Sequence, residues 1–569
     1  MMSFRKVTIR PIFLALVLAL SANGRLRGQD QVLVVDGATL INGTGKPPVA
    51  DAVVVMESGR IKAAGARGSV AVPAGAKVIN GRGKTLLPGL IDAHIHYLDF
   101  TPQMFLRFGV TTVVDTANPT EWILAQRDAL KDGKIKGPRM FATGLVIDGP
   151  LPPGEEPDAA ELSGYKIRVK TSEEARVATR KVIRQGVDAV KVHEALSTEL
   201  LQAVVEEAHR AGLEVVGHIA DVRAATGVGM KFIEHTFPIT DATVPAGTRR
   251  APVPEADMDV NAFGPLIEVL VKNGVYFNPT LTRTSITMMS KNPQWTEEAY
   301  KYLSDPKWKF IPEGRLSFWL QEAKKPERAV GADLAARRRE GIRRLQEFVR
   351  RYAEAGGKLI TGPDTGSSSG PSNFPGLSMH IEMEALVDAG VTPMQAIMSS
   401  TKWPAELVRH DKELGTVEPG KLADAILIDG DPLADIRNTR RISAVIQGGK
   451  VVDTTIDPDF RNPLPRAVSL ESVLEYMGPH IGDLEPKIAN QGQSVVKISV
   501  AGEWFKPNSI VRFDTKDLPT TFKSDKLLEA SIPAAQLKNI GTYAITVINP
   551  GSGGGTSNVR YFVVNFPGQ

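Results

Sequence analysis

Between Leu86 and Thr361 the chain alternates short apolar runs with amphipathic ones, and this alternation restricts the possible folds more than any other feature. Strands are expected at Leu86–His96, Thr111–Asp115, Met140–Val146, Ala189–His193, Glu214–His218, Phe232–His235, Val275–Thr280 and Lys358–Thr361. Helical runs such as Ser172–Gln185, Thr198–Ala211 and Leu266–Asn273 lie between them. Repeated strand–helix units pack as a parallel sheet covered by helices. Eight of them over roughly 300 residues fit a (β/α)8 TIM barrel, which typically needs about 250 residues. Function in such a barrel belongs at the C-terminal ends of the strands.

Those ends carry a distinctive set of side chains. The first strand closes as Pro88-Gly-Leu-Ile-Asp-Ala-His-Ile-His96. Strand residues i and i+2 share a face, so His94 and His96 can chelate one cation. Lys191 ends the fourth strand, His218 the fifth and His235 the sixth, and Asp364 follows the eighth in Gly362-Pro-Asp-Thr-Gly366. In a barrel all of them open into one crater. His193, two residues beyond Lys191, should face the same way and is a candidate substrate contact. Tyr97, Asn278 and Thr280 follow the rim by position alone, whereas His209 and His380 lie on helical runs and read as packing or surface residues. His410 and His480 fall outside the barrel.

The flanks differ in period. Residues 29–86 and 407–456 contain short alternating runs broken by turns such as Asn42-Gly43, Ser58-Gly59 and Asn80-Gly81. They are expected to join as a small β-sandwich around a barrel spanning 87–406. An insertion at 283–351 leaves a strand C-terminus and holds Trp295, Trp308 and Trp319. It reads either as a lid over the mouth or as a packing subdomain with tryptophans in its core. A proline-containing linker, 457–478, precedes residues 479–569, where alternating runs recur every 8 to 12 residues as in an immunoglobulin-like sandwich.

Composition narrows the chemistry. The 569 residues include no cysteine, so thiolate metal sites, disulfides and cysteine nucleophiles are all excluded. Residues 1–28 carry Arg5, Lys6, Arg10, Arg25 and Arg27 around an apolar run from Ile12 to Ala22 that is too short to span a bilayer. This is the pattern of a secretory signal, so an exported, periplasmic or extracellular protein with no stable membrane insertion is expected; an uncleaved anchor is the alternative. The formal charge of +4 belongs to that leader, and without its five basic residues the chain is near −1. No nucleic-acid partner is expected, because the Arg-rich run Arg337–Arg351 is interleaved with Glu340, Leu345, Phe348 and Val349 as a solvated helix face.

From Val32 to Asp453 the chain resembles the amidohydrolase superfamily, in particular its imidazolonepropionase-like and prolidase-like members. The resemblance rests on Pro-Gly-Leu-Ile-Asp-Ala-His-Ile-His96, the strand-end Lys191, Ile233-Glu-His235, Gly362-Pro-Asp364 and Glu418-Pro-Gly-Lys-Leu-Ala-Asp-Ala425. It implies two divalent metal ions. His94, His96 and Asp364 would bind the first and His218 and His235 the second, with Lys191 joining them as a CO2-derived carbamate. Zinc suits such ligands, as do manganese, iron and cobalt. Asp364 would be the catalytic proton carrier beside a metal-bridging hydroxide. Residues 479–564 resemble IPT/TIG-type immunoglobulin-like domains through Val495–Gly502, Ser509–Phe513, Gly541–Val547 and Asn549-Pro-Gly551.

The expected function is hydrolysis of an amide or peptide C–N bond in a small substrate, a dipeptide or N-acyl amino acid. Two alternatives remain at this level. One is a mononuclear deaminase or cyclic-amide hydrolase using His94, His96, His218 and Asp364 with Lys191 unmodified. The other is a non-catalytic extracellular binding or adhesion protein. The sequence leaves homo-oligomerisation open.

Overall fold

The computed structural model describes residues 32–151, 161, 164–245, 253–283, 293–324, 331–366, 373–464, 479–514, 516–550, 555–557 and 560–565. The signal-like segment lies outside these residues, as does the linker from 465 to 478.

The N-terminal flank forms β1 (Leu33–Leu40), β2 (Val49–Glu57), β3 (Arg60–Ala66), β4 (Lys77–Asn80) and β5 (Lys84–Pro88). The barrel region then supplies β6 (Leu90–Ile95), β7 (Val110–Asp115), β8 (Arg139–Ala142), β9 (Val146–Asp148) and β10 (Lys166–Arg168). It continues with β11 (Val190–Val192), β12 (Val215–Gly217), β13 (Phe232–Glu234), β14 (Tyr276–Asn278) and β15 (Lys358–Leu359). The C-terminal flank adds β16 (Ala425–Asp429), β17 (Ile442–Gln447) and β18 (Lys450–Val452).

The two flanks join in one continuous sheet, ordered β18-β17-β16-β5-β1-β2-β3, where two stacked sheets were expected. Its junction is an antiparallel register that pairs Ala425 with Pro88 and Asp429 with Lys84. Hydrogen bonds from Ile61 to Lys421 and from Ala423 to Gly59 bring its far edge back towards β16, so the sheet curls over a core of Val35, Leu40, Val54, Leu86, Leu427 and Ile446.

All eight expected barrel strands appear among the described residues as parallel ones: β6, β7, β8, β11, β12, β13, β14 and β15. They lie in two sheets, β6-β7-β8 and β10-β9-β11-β12-β13-β14-β15, and among the described residues no continuous ladder closes a barrel. Single backbone bonds link the sheets at both seams: Asp188 to Ala142 on one side, Ala93 to Thr361 and His96 to Thr365 on the other. The expected strand Met140–Val146 is split. Gly144 turns the chain at φ +67°, where a Cβ would lie 2.6 Å from Thr120 Oγ1, and the following residues leave β8 to pair as β9 with β11.

The helices follow local rules. Ser172–Gln185 starts at Thr171, whose side chain accepts the Glu174 amide, and stops at Gly186 in the left-handed conformation. Thr198–Arg210 is capped in the same way by Ser197 and buries Leu200, Leu201, Val204, Val205 and Ala208 against the sheet.

In the insertion, Trp295, Trp308 and Trp319 are buried. Trp308 and Trp319 pack edge-on or tilted against Phe374, just after the eighth-strand loop, and Trp319 also meets Phe100. Trp295 points its indole nitrogen at Glu384 on the helix Leu377–Asp388. All three tryptophans thus pack against residues outside the insertion, before and after it in the chain.

Beyond residue 478, the described residues form ten strands: β19 (His480–Glu485), β20 (Ile488–Asn490), β21 (Val495–Glu503), β22 (Ile510–Phe513), β23 (Lys516–Asp517), β24 (Thr520–Ser524), β25 (Leu527–Pro533), β26 (Gly541–Asn549), β27 (Gly555–Thr556) and β28 (Arg560–Asn565). They make two sheets that share a core of Ile498, Val500, Val511, Leu528, Ile545 and Phe562.

Candidate metal centre

Every histidine expected at the crater reaches it. His94 is fully buried on β6, while His96, just past the strand end, keeps 30% of its side chain exposed. Asp364 Oδ1 lies 3.1 Å from His96 Nε2 and 3.5 Å from His94 Nε2. Across the crater the Nε2 atoms of His218 and His235 are 2.8 Å apart, and the His94 and His235 rings have centroids 5.1 Å apart. Lys191, on β11, is 1% exposed and directs Nζ at Glu234 Oε2.

Two glycines make this convergence possible. A Cβ at Gly362 would lie 2.6 Å from that of His94, and one at Gly366, where φ is +90°, would lie 1.9 Å from the His96 carbonyl oxygen. Only hydrogen at these positions lets the Asp364 loop approach the His-x-His strand. The loop is fastened further by Thr365, which donates to Asp92 at 2.9 Å, and by Asn373, which donates to the Asp364 carbonyl at 2.5 Å.

Three non-glycine residues of the site have left-handed backbones: His235 (φ 65°), Thr280 (φ 49°) and Asp364 (φ 60°). Such conformations cost about 1–3 kcal/mol each and persist where the surroundings impose them. At His235 the consequence is chemical. Consecutive strand residues normally face opposite sides, but the reversal after Glu234 turns both Glu234 and His235 into the crater. Glu234 Oε1 lies 2.8 Å from His94 Nδ1, and Oε2 contacts Lys191 and lies 3.9 Å from His218 Nε2. Sequence reasoning passed over Glu234; the signal available was a carboxylate between Ile233 and His235 in an apolar strand.

The rings are held from behind. His235 Nδ1 is 3.0 Å from Thr280 Oγ1, and His218 Nδ1 is 3.3 Å from Glu194 Oε2. The same carboxylate oxygen lies 3.3 Å from His193 Nδ1, and the His193 ring stacks beside His218 with centroids 4.0 Å apart. The structure thus brings His193 into the same cluster of side chains as His218. Thr280 contributes by orienting His235. Asn278 is buried and exchanges bonds with the Gly362 backbone, and the Tyr97 hydroxyl donates to Gln126, so neither occupies the rim position expected for it. His380 is buried between Phe108 and Thr439, while His209, His410 and His480 lie away from the cluster.

The electrostatics suit a cation. Burial pulls His94 down to about 3 and holds His193 and His218 well below the usual imidazole range, which keeps these rings neutral and able to ligate. Burial pushes Glu234 up, but the close His94 ring, the Lys191 amine and the hydrogen bond from His94 outweigh it and hold the carboxyl below its ordinary range. Burial lowers the Lys191 amine against the opposing pull of Glu234. His94 Nε2 is buried without a hydrogen-bond partner among the described residues, an arrangement that a metal ion would satisfy. Neutral imidazoles and carboxylates without sulfur form a donor set suited to first-row divalent ions. His94, His235 and Asp364 bring ligand atoms within 4.8 Å of one another, as do His218, Glu234 and His235.

A model of the amidohydrolase family matches residues 85–452. The chain belongs to the amidohydrolase family. That family is metal-dependent, and the amidohydrolase segment contains every residue of the crater. Over 66 residues this amidohydrolase is 39% identical to an adenine deaminase of Rubrobacter xylanophilus, a match spanning only 11% of that relative and 11% of this chain. Its fold is similar to that of molinate hydrolase (TM-score 0.56, 23% identity, 75% of this chain and 95% of that one). It is similar as well to phenylurea hydrolase B (0.56, 22%, 77% and 100%) and to a Xaa-Pro dipeptidase solved with methionine in its active site (0.52, 21%, 74% and 100%). At these identities the likeness concerns the TIM-barrel-like fold.

Proposed function

We propose that this chain is an exported, metal-dependent hydrolase that cleaves the C–N bond of a small amide, a dipeptide or an N-acyl amino acid. The observation that carries the reading is the convergence of His94, His96, His218, His235 and Asp364 on one crater, with the buried His94 Nε2 having no hydrogen-bond partner among the described residues. His94, His96 and Asp364 would hold one divalent ion, zinc being the first choice, and His218 and His235 a second, with a carbamate on Lys191 between them. Bound metal supplies polarisation of the scissile carbonyl and a water that ionises near neutral pH. Asp364, beside both histidines of the first strand, takes a proton and returns it to the leaving amine. His193, next to His218 at the crater wall, is placed to meet substrate. Export rests on the basic and apolar pattern of residues 1–28. The C-terminal pair of sheets fits an IPT/TIG-type immunoglobulin-like module serving as a spacer.

A specific contact favours a second reading. The Lys191 amine meets Glu234, a pairing natural to an ammonium ion, and an unmodified Lys191 would leave a mononuclear centre of the deaminase or cyclic-amide hydrolase type. Elemental analysis of protein purified without chelators separates the two, near two ions per chain for the first and near one for the second. Hydrolysis of a dipeptide and N-acyl amino acid panel tests the substrate class. Metal-loaded protein inactive on the whole panel would refute it.

A further inference from the structure

Glu234 has no part in the ligand set above, yet it lies against three of the crater's side chains, His94, Lys191 and His218. It is 1% exposed, its two oxygens are directed to different partners, and both partners, His94 and Lys191, are as deeply buried as itself. Neither His94 Nδ1 nor Glu234 Oε1 has a hydrogen-bond partner elsewhere among the described residues. Two acceptor lone pairs meeting at 2.8 Å in a dry site would repel, so the proton of the neutral His94 ring belongs on Nδ1. That leaves the lone pair on Nε2, the atom directed at Asp364. The second oxygen meanwhile ties the Lys191 amine into the same place.

We propose that Glu234 is a positioning residue of the metal centre: one carboxylate fixes the tautomer and orientation of His94 through Oε1 and the placement of Lys191 through Oε2. The inference rests on the metal reading above. A carboxylate behind a ligating imidazole sharpens its orientation, and losing such a partner typically weakens metal binding about 10–100-fold. The left-handed backbone at His235 is what admits Glu234 to the crater, so the strain there serves two adjacent side chains.

The test compares wild-type protein with Glu234→Gln and Glu234→Ala, first stripped of metal and then titrated with zinc ion against a chromogenic chelator. Thermal melts identify the folded variants. Glu234→Gln is isosteric but has a single acceptor oxygen for two donors, so its zinc affinity should fall about 10-fold, and that of Glu234→Ala about 100-fold. In metal-free wild type labelled with 15N-histidine, the His94 signal, assigned by its loss in His94→Gln, should report a protonated Nδ1; in Glu234→Ala it should shift towards a mixture of tautomers. A purely structural role would lower the melting temperature and leave both readouts unchanged. Folded variants with wild-type zinc affinity and an unshifted His94 signal would overturn the inference alone. Wild-type protein that takes up no zinc would overturn the metal reading and this inference together.

Discussion

His218 and His235 meet head to head, with their Nε2 atoms 2.8 Å apart and each ring anchored at the opposite nitrogen, by Glu194 for one and Thr280 for the other. Two nitrogens from different strands directed at one point form a ligand pair that a single truncation destroys. His235→Ala should leave a folded protein, lower its metal content, and reduce kcat/KM by about 100-fold or more, since metal assistance contributes several kcal/mol. Elemental analysis and kinetics on the same preparation check both effects.

Burial of neutral histidines makes stability depend on pH. His380, bonded to Phe108 and Thr439 away from the crater, is pulled down to about 3 by burial. Between its ordinary value and about 3, the unfolded chain takes up a proton that the native one refuses, so this contribution is present above about pH 6.5 and is lost as pH falls. By pH 5 the loss is about 2 kcal/mol for a single group. Asp92, pushed up to about 8 by burial, runs the other way over the same window, so the measurement is a difference. Between about pH 6.5 and pH 5, wild type in urea denaturation should lose about 2 kcal/mol more than His380→Gln. Equal losses would mean that His380 titrates normally in the fold.

The glycines around Asp364 make a sharper test of geometry. Gly366→Ala places a methyl group 1.9 Å from the His96 carbonyl oxygen at φ +90°, and should cost at least ~3 kcal/mol and abolish metal retention. Gly227, at the end of the helix Val222–Gly227, has nothing within 4 Å of a would-be Cβ. Gly227→Ala should therefore be neutral or stabilising by up to about 1 kcal/mol in the same urea assay.

Phe374 links the insertion to the site. Trp308, Trp319, Tyr302 and Phe108 surround it, and its neighbour Asn373 holds the Asp364 backbone. Phe374→Ala should destabilise by about 3–5 kcal/mol and lower kcat more than it raises KM, because Asp364 loses its footing. Chemical denaturation and steady-state kinetics give the two numbers.

Most of the site was legible because it is spelled in residue types at strand ends: His-x-His, a lone lysine, Gly-His, Glu-His and Gly-Pro-Asp need only the period of two and the barrel rule to converge. What escaped depends on backbone dihedrals. Glu234 was hidden by the alternation that made His94 and His96 visible, since nothing in its neighbours' chemistry announces a left-handed His235. Likewise Gly144 splits an apolar run that reads as one strand, and the curl of the flanking sheet comes from backbone bonds at Ile61 and Ala423, which leave no mark on composition. The tryptophans of the insertion reveal burial by size alone; which neighbour they bury against is a tertiary fact.

The flanking sheet also carries a message about order in time. Thr85 bonds the carbonyl of Gly430, 345 residues further along the chain, and β5 has β16 as its antiparallel partner. The first strands to leave the ribosome therefore wait for some of the last amidohydrolase residues before their sheet is complete. Through that interval they are open edges, exposed to pairing with another chain. A chain built this way is cut short at its peril: losing β16 to β18 would undo the domain at its beginning.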